Sequence, residues 1–329
     1  MSRTTPPRPV DVTAHFPELA PMARAAVRLH PRAGEPTASD SSIGGPLLWP
    51  AHELWPSCPE HAGPSQFGVS PEDLRLRRRI IAEMWRRPDE DGADGLSQEE
   101  RATLDRVSHS SRIPQNGPLP MVPVAQLYAA DVPGLPRPHG TDLLQVLWCP
   151  FDHEDYLPRT ELRWRTAADV TDRLDVAPQP SVIGNDDYLP EACILHPETV
   201  TEYPAPHELT KELRERIRAW EDQHDLNYQY DLAVAPGCKA GGHAPWSFSD
   251  PFPMACAECG SDVRPLLTLN GNEWNGGNGS WRPVEDSGYT GIHSLGPAAA
   301  TRLSIGRSGS LQVYVCADTH SHPHTQNNQ

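Results

Sequence analysis

The sequence predicts a mostly β, α+β protein, built from internally duplicated antiparallel-sheet modules packed together, with an inserted helical hairpin. Three observations predict it. One short pattern occurs twice. The 329 residues include 37 Pro and 24 Gly, and the hydrophobic fraction is only 37%. Few apolar residues and many turn formers suit short strands joined by loops rather than long helices. The length suffices for a proper core and for two units of ordinary size.

The repeated pattern is a Gly pair, a Trp, a pair of soft metal ligands, and a strand running into Cys and His. The first copy reads Gly44-Gly45, Trp49, Cys58-x-x-His61, then Leu144-Gln145-Val146 leading to Cys149-x-x-x-His153. The second reads Gly241-Gly242, Trp246, Cys256-x-x-Cys259, then Leu311-Gln312-Val313 leading to Cys316-x-x-x-His320. Cys149 and Cys316 lie 167 residues apart, whereas Cys58 and Cys256 lie 198 apart, so the first copy carries a net insertion of 31 residues.

These spacings divide the chain into an N-terminal extension (1–40), a first repeat (41–155, helical insertion 66–118), a linker region with one amphipathic helix (156–237), a second repeat (238–320) and a disordered tail (321–329). In the extension, a short helix over Phe16 to Met22 and a strand over Ala26 to His30 are expected. The insertion opens with Ser70-Pro71-Glu72-Asp73, an N-cap with Pro at the first helical position and acid in the first turn. Ile80, Ile81, Met84 and Trp85 make its apolar stripe. Ser97-x-x-Glu100 has capping-box form and starts a second helix. The strand Met121 to Leu127 then matches Pro265 to Leu269 in the second copy. In the linker region, Leu209, Leu213, Ile217 and Trp220 fall on one face of a helix opened by Pro206.

The formal net charge is -16. Such a surface repels nucleic acid and anionic membranes and attracts basic partners. The expectation is therefore no nucleic acid, no membrane, and a basic protein as client. Lys211 and Lys239 are the only lysines among 28 basic residues, which reads as the genomic bias of a bacterium rather than as functional arginines. The N-terminus has no apolar core of signal-peptide length and no stretch is long enough to span a bilayer, so a cytoplasmic location is expected. There an odd set of seven Cys points to metal or core packing rather than disulfides.

Four soft N/S ligands per copy suit tetrahedral zinc, and four protein ligands leave no open position, so the expected role is structural. The better-formed site is Cys256, Cys259, Cys316 and His320, because Cys-x-x-Cys-Gly makes a thiolate knuckle. The lesser site is Cys58, His61, Cys149 and His153, with two His and an intervening insertion. The plain alternative is packing: buried cysteines beside a tail in which His322 and His324 make one more His unremarkable. A Cys149–His153 nucleophile pair lacks an orienting third group and an oxyanion motif. The turn from Asp89 to Glu100 resembles a calcium-binding EF-hand loop, matched at Asp89, Asp91, Leu96, Ser97 and Glu100 but not at Ala93 and Asp94. The Gly pairs lack the spacing of phosphate loops and are expected to permit a close backbone approach.

Ser41-Ser42-Ile43-Gly44-Gly45-Pro46 with Trp49-Pro50, Val124-Ala125-Gln126-Leu127, and Lys239-x-Gly241-Gly242-x-x-x-Trp246 resemble the YwqG-like bacterial family. More distantly, they resemble programmed cell death protein 2 and its relatives. That eukaryotic branch pairs a similar start with Cys-x-x-Cys, a Gln-bearing strand and a final Cys-x-x-x-Cys, and acts as a chaperone for a newly made basic ribosomal protein. The resemblance implies a binding role. Here His61, His153 and His320 stand where those relatives often have Cys, and no MYND-type finger lies between the copies. The reading is a cytosolic, non-enzymatic protein-binding module, chaperone-like or adaptor-like, with structural zinc. The alternatives are a hydrolase or transferase acting in a groove between the repeats, or a toxin-neutralising immunity protein.

Overall fold

The computed structural model describes residues 2–59, 67–87, 95–109, 113–114, 117–153, 156–306 and 309–329. The chain opens with a one-turn helix α1 (Val12–His15), capped by the Asp11 side chain, which accepts from Thr13 N. A 3-10 turn over Pro17–Met22 follows, burying Phe16 and Leu19. Strands β1 (Arg24–Arg28), β2 (Arg32–Ala33), β3 (Ser42–Ile43), β4 (Ser57–Cys58) and β5 (Phe67–Gly68) lead to the insertion.

The insertion is a helical hairpin, α2 (Pro71–Met84) and α3 (Gln98–His109), closed by β6 (Ile113–Pro114) pairing with β5. Ser70 Oγ accepts from Asp73 N at 3.1 Å. Ser97 and Glu100 exchange both capping-box bonds, at 2.8 and 3.2 Å. The stripe differs from expectation: Leu74, Ile80 and Ala82 are buried, whereas Trp85, the residue just past the last turn, is 55% exposed. A helix end projects beyond the surface that its earlier turns cover.

After β7 (Leu119–Pro120) come β8 (Val122–Tyr128), β9 (Leu143–Asp152), β10 (Pro158–Arg165), β11 (Cys193–Ile194) and β12 (Glu198–Glu202). Helix α4 (Lys211–His224) is capped by Thr210 and buries Leu213 and Ile217; Pro206 opens a separate 3-10 turn before it. The last strands are β13 (Lys239–Gly241), β14 (Val263–Asn270), β15 (Ser310–Cys316) and β16 (Thr325–Asn328).

Two six-stranded antiparallel sheets result, in the orders β2-β11-β3-β8-β9-β10 and β12-β1-β13-β14-β15-β16. They share one register plan. Gln126 pairs with Gln145 where Thr268 pairs with Gln312, and Ser42 faces Gln126 where Lys239 faces Thr268. Each central pair shifts register at one place, between Pro123 and Ala125 and between Pro265 and Leu267. A proline has no N–H for the ladder, so both bulges fall where the ladder would fail anyway.

The first glycines of the two Gly pairs share a backbone angle, although only Gly44 is closely approached. Gly44 and Gly241 have φ of +66° and +69°, and a Cβ on Gly44 would stand 2.6 Å from the Glu191 carbonyl oxygen. Only glycine tolerates that combination cheaply.

The boundaries expected from sequence are corrected at three places. Residues 1–40 are not an extension, because β1 lies inside the second sheet between β12 and β13 while β2 forms an edge of the first. Residues 156–237 are not a linker, because β10 and β11 belong to the first sheet and β12 to the second. The two sheets thus exchange strands at β1–β2 and at β11–β12. Residues 321–329 are not disordered: β16 pairs with β15 from Tyr314↔Thr325 to Leu311↔Asn328. One core joins the sheets, with Val27, Ala240, Leu267 and Val313 packed in the same cluster as Ile43, Ala125, Val146 and Trp148. Among the described residues, no helix is long and apolar enough to cross a membrane.

Candidate metal centres

The second cluster forms where two chain reversals meet at one end of the second sheet. Cys256-Ala257-Glu258-Cys259-Gly260 makes a tight loop. Gly260 N bonds to Cys256 O at 2.8 Å with φ +74° at the glycine, and Cys256 N returns to Ser261 O at 2.8 Å. A second reversal begins as β15 ends: Thr319 N donates to Cys316 Sγ at 3.4 Å and His322 N to Thr319 O at 3.1 Å. Ser261 Oγ to Asp318 at 2.6 Å and Ala317 N to Asp262 O at 2.9 Å tie the two reversals together.

This brings Cys256, Cys259, Cys316 and His322 together, with all four ligand atoms within 4.8 Å of one another. Cys259 Sγ lies 3.5 Å from Cys316 Sγ, and Cys256 Sγ lies 3.5 Å from His322 Nδ1. A tetrahedral zinc site with standard bond lengths has S···S edges of about 3.8 Å and S···N edges of about 3.5 Å, so the cage has the right size. The three sulfurs are those expected from sequence. The imidazole is not: His322, not His320, faces the thiols. His320 Nδ1 is held 2.9 Å from the Arg137 carbonyl oxygen, because the reversal after Cys316 turns residue 320 outward and 322 back.

The electrostatics favour thiolate at Cys259 and Cys256 but not at Cys316, whose thiol burial pushes up. Hydrogen bonds from the Ser261 hydroxyl and backbone hold the Cys259 thiol down at about 6. Burial pushes Cys256 up, but backbone N–H groups of Cys259 and Glu258, with His322, outweigh it and leave the thiol lowered. Bonds from Cys256 and Cys259 raise His322 above the ordinary imidazole range. Thiolates beside an imidazole are the species that bind a soft or borderline cation.

The first cluster consists of Cys58, Cys149 and His153, again within 4.8 Å. Cys58 lies on β4, pinned by pairing with Leu119 of β7, and its Sγ is 3.5 Å from His153 Nε2. Cys149 lies within β9, and the strand runs on to Asp152, so no turn forms a second knuckle. Pro150 follows it and offers no N–H to the sulfur. His61 lies outside the described residues. Cys58 and burial push the Cys149 thiol far up, which does not suit a nucleophile. Two further cysteines, Cys193 and Cys238, are buried in the core; burial pushes Cys193 up to about 12 and raises Cys238 as well.

The acidic turn expected to resemble a calcium loop has residues 88–94 outside the described residues. Of its other candidate ligands, Glu100 is committed elsewhere: Arg87 donates to its two oxygens at 2.8 and 2.5 Å and holds it down at about 2.

Other buried ionisable groups escaped the sequence reading because they lie far apart in the chain. His30 bridges Glu273 at 2.9 Å and Glu198 at 3.2 Å. Lys239 contacts Glu202 at 2.6 Å with both side chains fully buried. No family model and no curated protein matches this chain.

Proposed function

We propose that the protein is a non-enzymatic binding scaffold of the bacterial cytosol, pinned by structural zinc and serving a basic protein client as a chaperone or adaptor. The observation that carries the metal half is the closed arrangement of Cys256, Cys259, Cys316 and His322. Four protein ligands fill a tetrahedron and leave no site for substrate or water, so the ion would act as a staple. It would join the loop before β14 to the end of β15, reinforcing the β14–β15 ladder that begins at Val263 and Cys316. The Cys58, Cys149 and His153 set offers three ligands in a buried pocket, enough for a second, weaker ion.

The binding half rests on charge and on the motif resemblance to YwqG-like proteins and programmed cell death protein 2. A net charge of -16 steers basic partners and disfavours acidic ones. An enzyme between the two sheets draws less support. Of the linked acid–base groups, His30 and Glu273 are 0% and 3% exposed, and only Glu198 reaches the surface.

Elemental analysis of the purified chain, with a pull-down from the native host, tests the reading. About one zinc per chain and recovery of a basic protein are expected; a metal-free protein with unchanged folding, or the absence of any protein partner, overturns it.

A further inference from the structure

The molecule is acidic, yet one large cleft is cationic. A cavity of about 1230 Å³ opens between α2, the β2 edge and the turns from Tyr289 to Arg302. Seven arginines and three glutamates line it. Ligand sites usually span roughly 300–1,000 Å³, so this one is large enough for a drug-sized molecule with room to spare.

Not all of these arginines are free. Arg78 is saturated by Glu191 at 3.1 Å and by the carbonyl oxygens of Leu189 and Asp186 at 2.7 and 2.6 Å. Arg32 is committed to Asp286. The outer stripe of α2 differs. Arg75 and Arg79 lie one turn apart on α2, Arg86 lies in the turn just past its last residue Met84, and all three are exposed. Arg75 makes one 3.3 Å contact with Gln179. Among the described residues, the Arg79 and Arg86 guanidinium groups have no hydrogen-bond or ion-pair partner, and neither Glu72 nor Glu83 closes an ion pair of 4 Å with them.

Opposite the stripe, Arg302 adopts the left-handed region at φ +55° and donates to Ser294 O. Burial lowers its basicity first, and Arg78 and Arg86 nearby add to that against Glu191. A non-glycine residue held at positive φ beside like charges costs free energy that a bound anion would offset. The rest of that wall is apolar: Tyr289, Leu295, Pro297, Ala299 and Ala300. The Tyr289 hydroxyl is tied to Ile292 O at 2.9 Å, which holds the ring in place.

One wall of guanidinium forks facing one wall of aromatic and aliphatic surface fits a ligand with the same division. We propose that this cleft binds a nucleoside polyphosphate, its phosphates on the Arg75–Arg79–Arg86 stripe and its base against Tyr289 and Leu295. Arginine forks match phosphate oxygens in pairs. The local cluster of arginines, not the acidic surface as a whole, draws an anion to the cleft. The inference is independent of the metal reading.

Calorimetric titration of the full chain with ATP, GTP and inorganic tripolyphosphate tests it. Micromolar binding of a nucleotide is expected, weaker by at least tenfold in Arg79→Glu/Arg86→Glu, whose melting temperature should be unchanged because both sites are exposed. Tyr289→Ala should weaken nucleotide binding and leave tripolyphosphate binding as it was. The proposal is overturned if neither nucleotide binds at millimolar concentration, if the arginine variant binds as well as the parent, or if tripolyphosphate matches the nucleotides.

Discussion

His322 Nδ1 stands 3.5 Å from Cys256 Sγ, while His320, two residues earlier, faces away and contacts the Arg137 carbonyl oxygen. The two histidines sit on one short reversal, so a single turn of backbone decides which of them joins the thiols.

The two residues should therefore separate cleanly on mutation. His322→Ala removes one of four ligands and should lower metal affinity by one to two orders of magnitude or more, since losing even a group that only hydrogen-bonds a ligand costs about 10–100-fold. His320→Ala should leave metal content unchanged. Cobalt substitution reads the site directly: a thiolate-to-cobalt absorption band that shifts in His322→Ala but persists in His320→Ala is expected. The reverse pattern would assign the imidazole to His320 and discard the geometry described above.

The sulfurs of this site were legible and the imidazole was not, for a definite reason. Cys256-x-x-Cys259-Gly260 encodes its own turn, because the glycine supplies the positive φ that closes it. His320, His322 and His324 alternate in sequence, and spacing alone cannot say which one a later reversal returns. The central strands were readable from their apolar runs, α2 and α3 from their caps, and α4 from its apolar face, though it starts at Lys211 after Thr210 and not at Pro206. The strand exchange was not. β2 and β11 have two residues each, too short to carry a period, and their sheet membership is set by long-range pairing. β16 reads as polar tail because it is an edge strand, held by its ladder to β15 and by Gln329 Oε1 accepting from Phe248 N and Ser249 N, not by apolar side chains.

Gly44 offers a test of the close backbone approach beside β3. It combines φ +66° with a phantom Cβ 2.6 Å from Glu191 O, whereas Gly140 has φ +83° with nothing within 4 Å. Gly140→Ala should cost only the left-handed backbone penalty, roughly 1–2 kcal/mol. Gly44→Ala should cost more, about 3 kcal/mol or above, because β3 and the Glu191 backbone must also separate. Denaturant midpoints of the two variants decide it. Equal losses would mean that the close approach at Gly44 yields without cost, and that the glycine is there for its backbone angle alone.

His243 should make the fold sensitive to mild acid. It is 3% exposed, and its Nε2 bonds to Met22 O at 3.0 Å. Nδ1 has no hydrogen-bond partner and faces the Glu208 carboxyl at 3.8 Å. Burial first, then Arg24 and Lys239, hold its pKa down at about 4 against an ordinary 6.5. Below pH 6.5 the unfolded chain takes a proton at this residue that the folded chain refuses until about pH 4. Stability is thus complete above pH 6.5 and falls as the pH drops toward 4, by no more than about 3 kcal/mol from this one group. Glu208, raised by its own burial, titrates in the opposite sense, and protonation of the thiol cluster adds a further loss. Both are common to parent and variant, so the comparison with His243→Gln isolates the imidazole: Gln keeps an N–H for Met22 O and cannot take the proton. The variant should lose less stability than the parent between pH 6.5 and 4 in urea melts. Parallel curves over that range would show that His243 is protonated in the fold as readily as in the open chain, and that its burial carries no pH dependence.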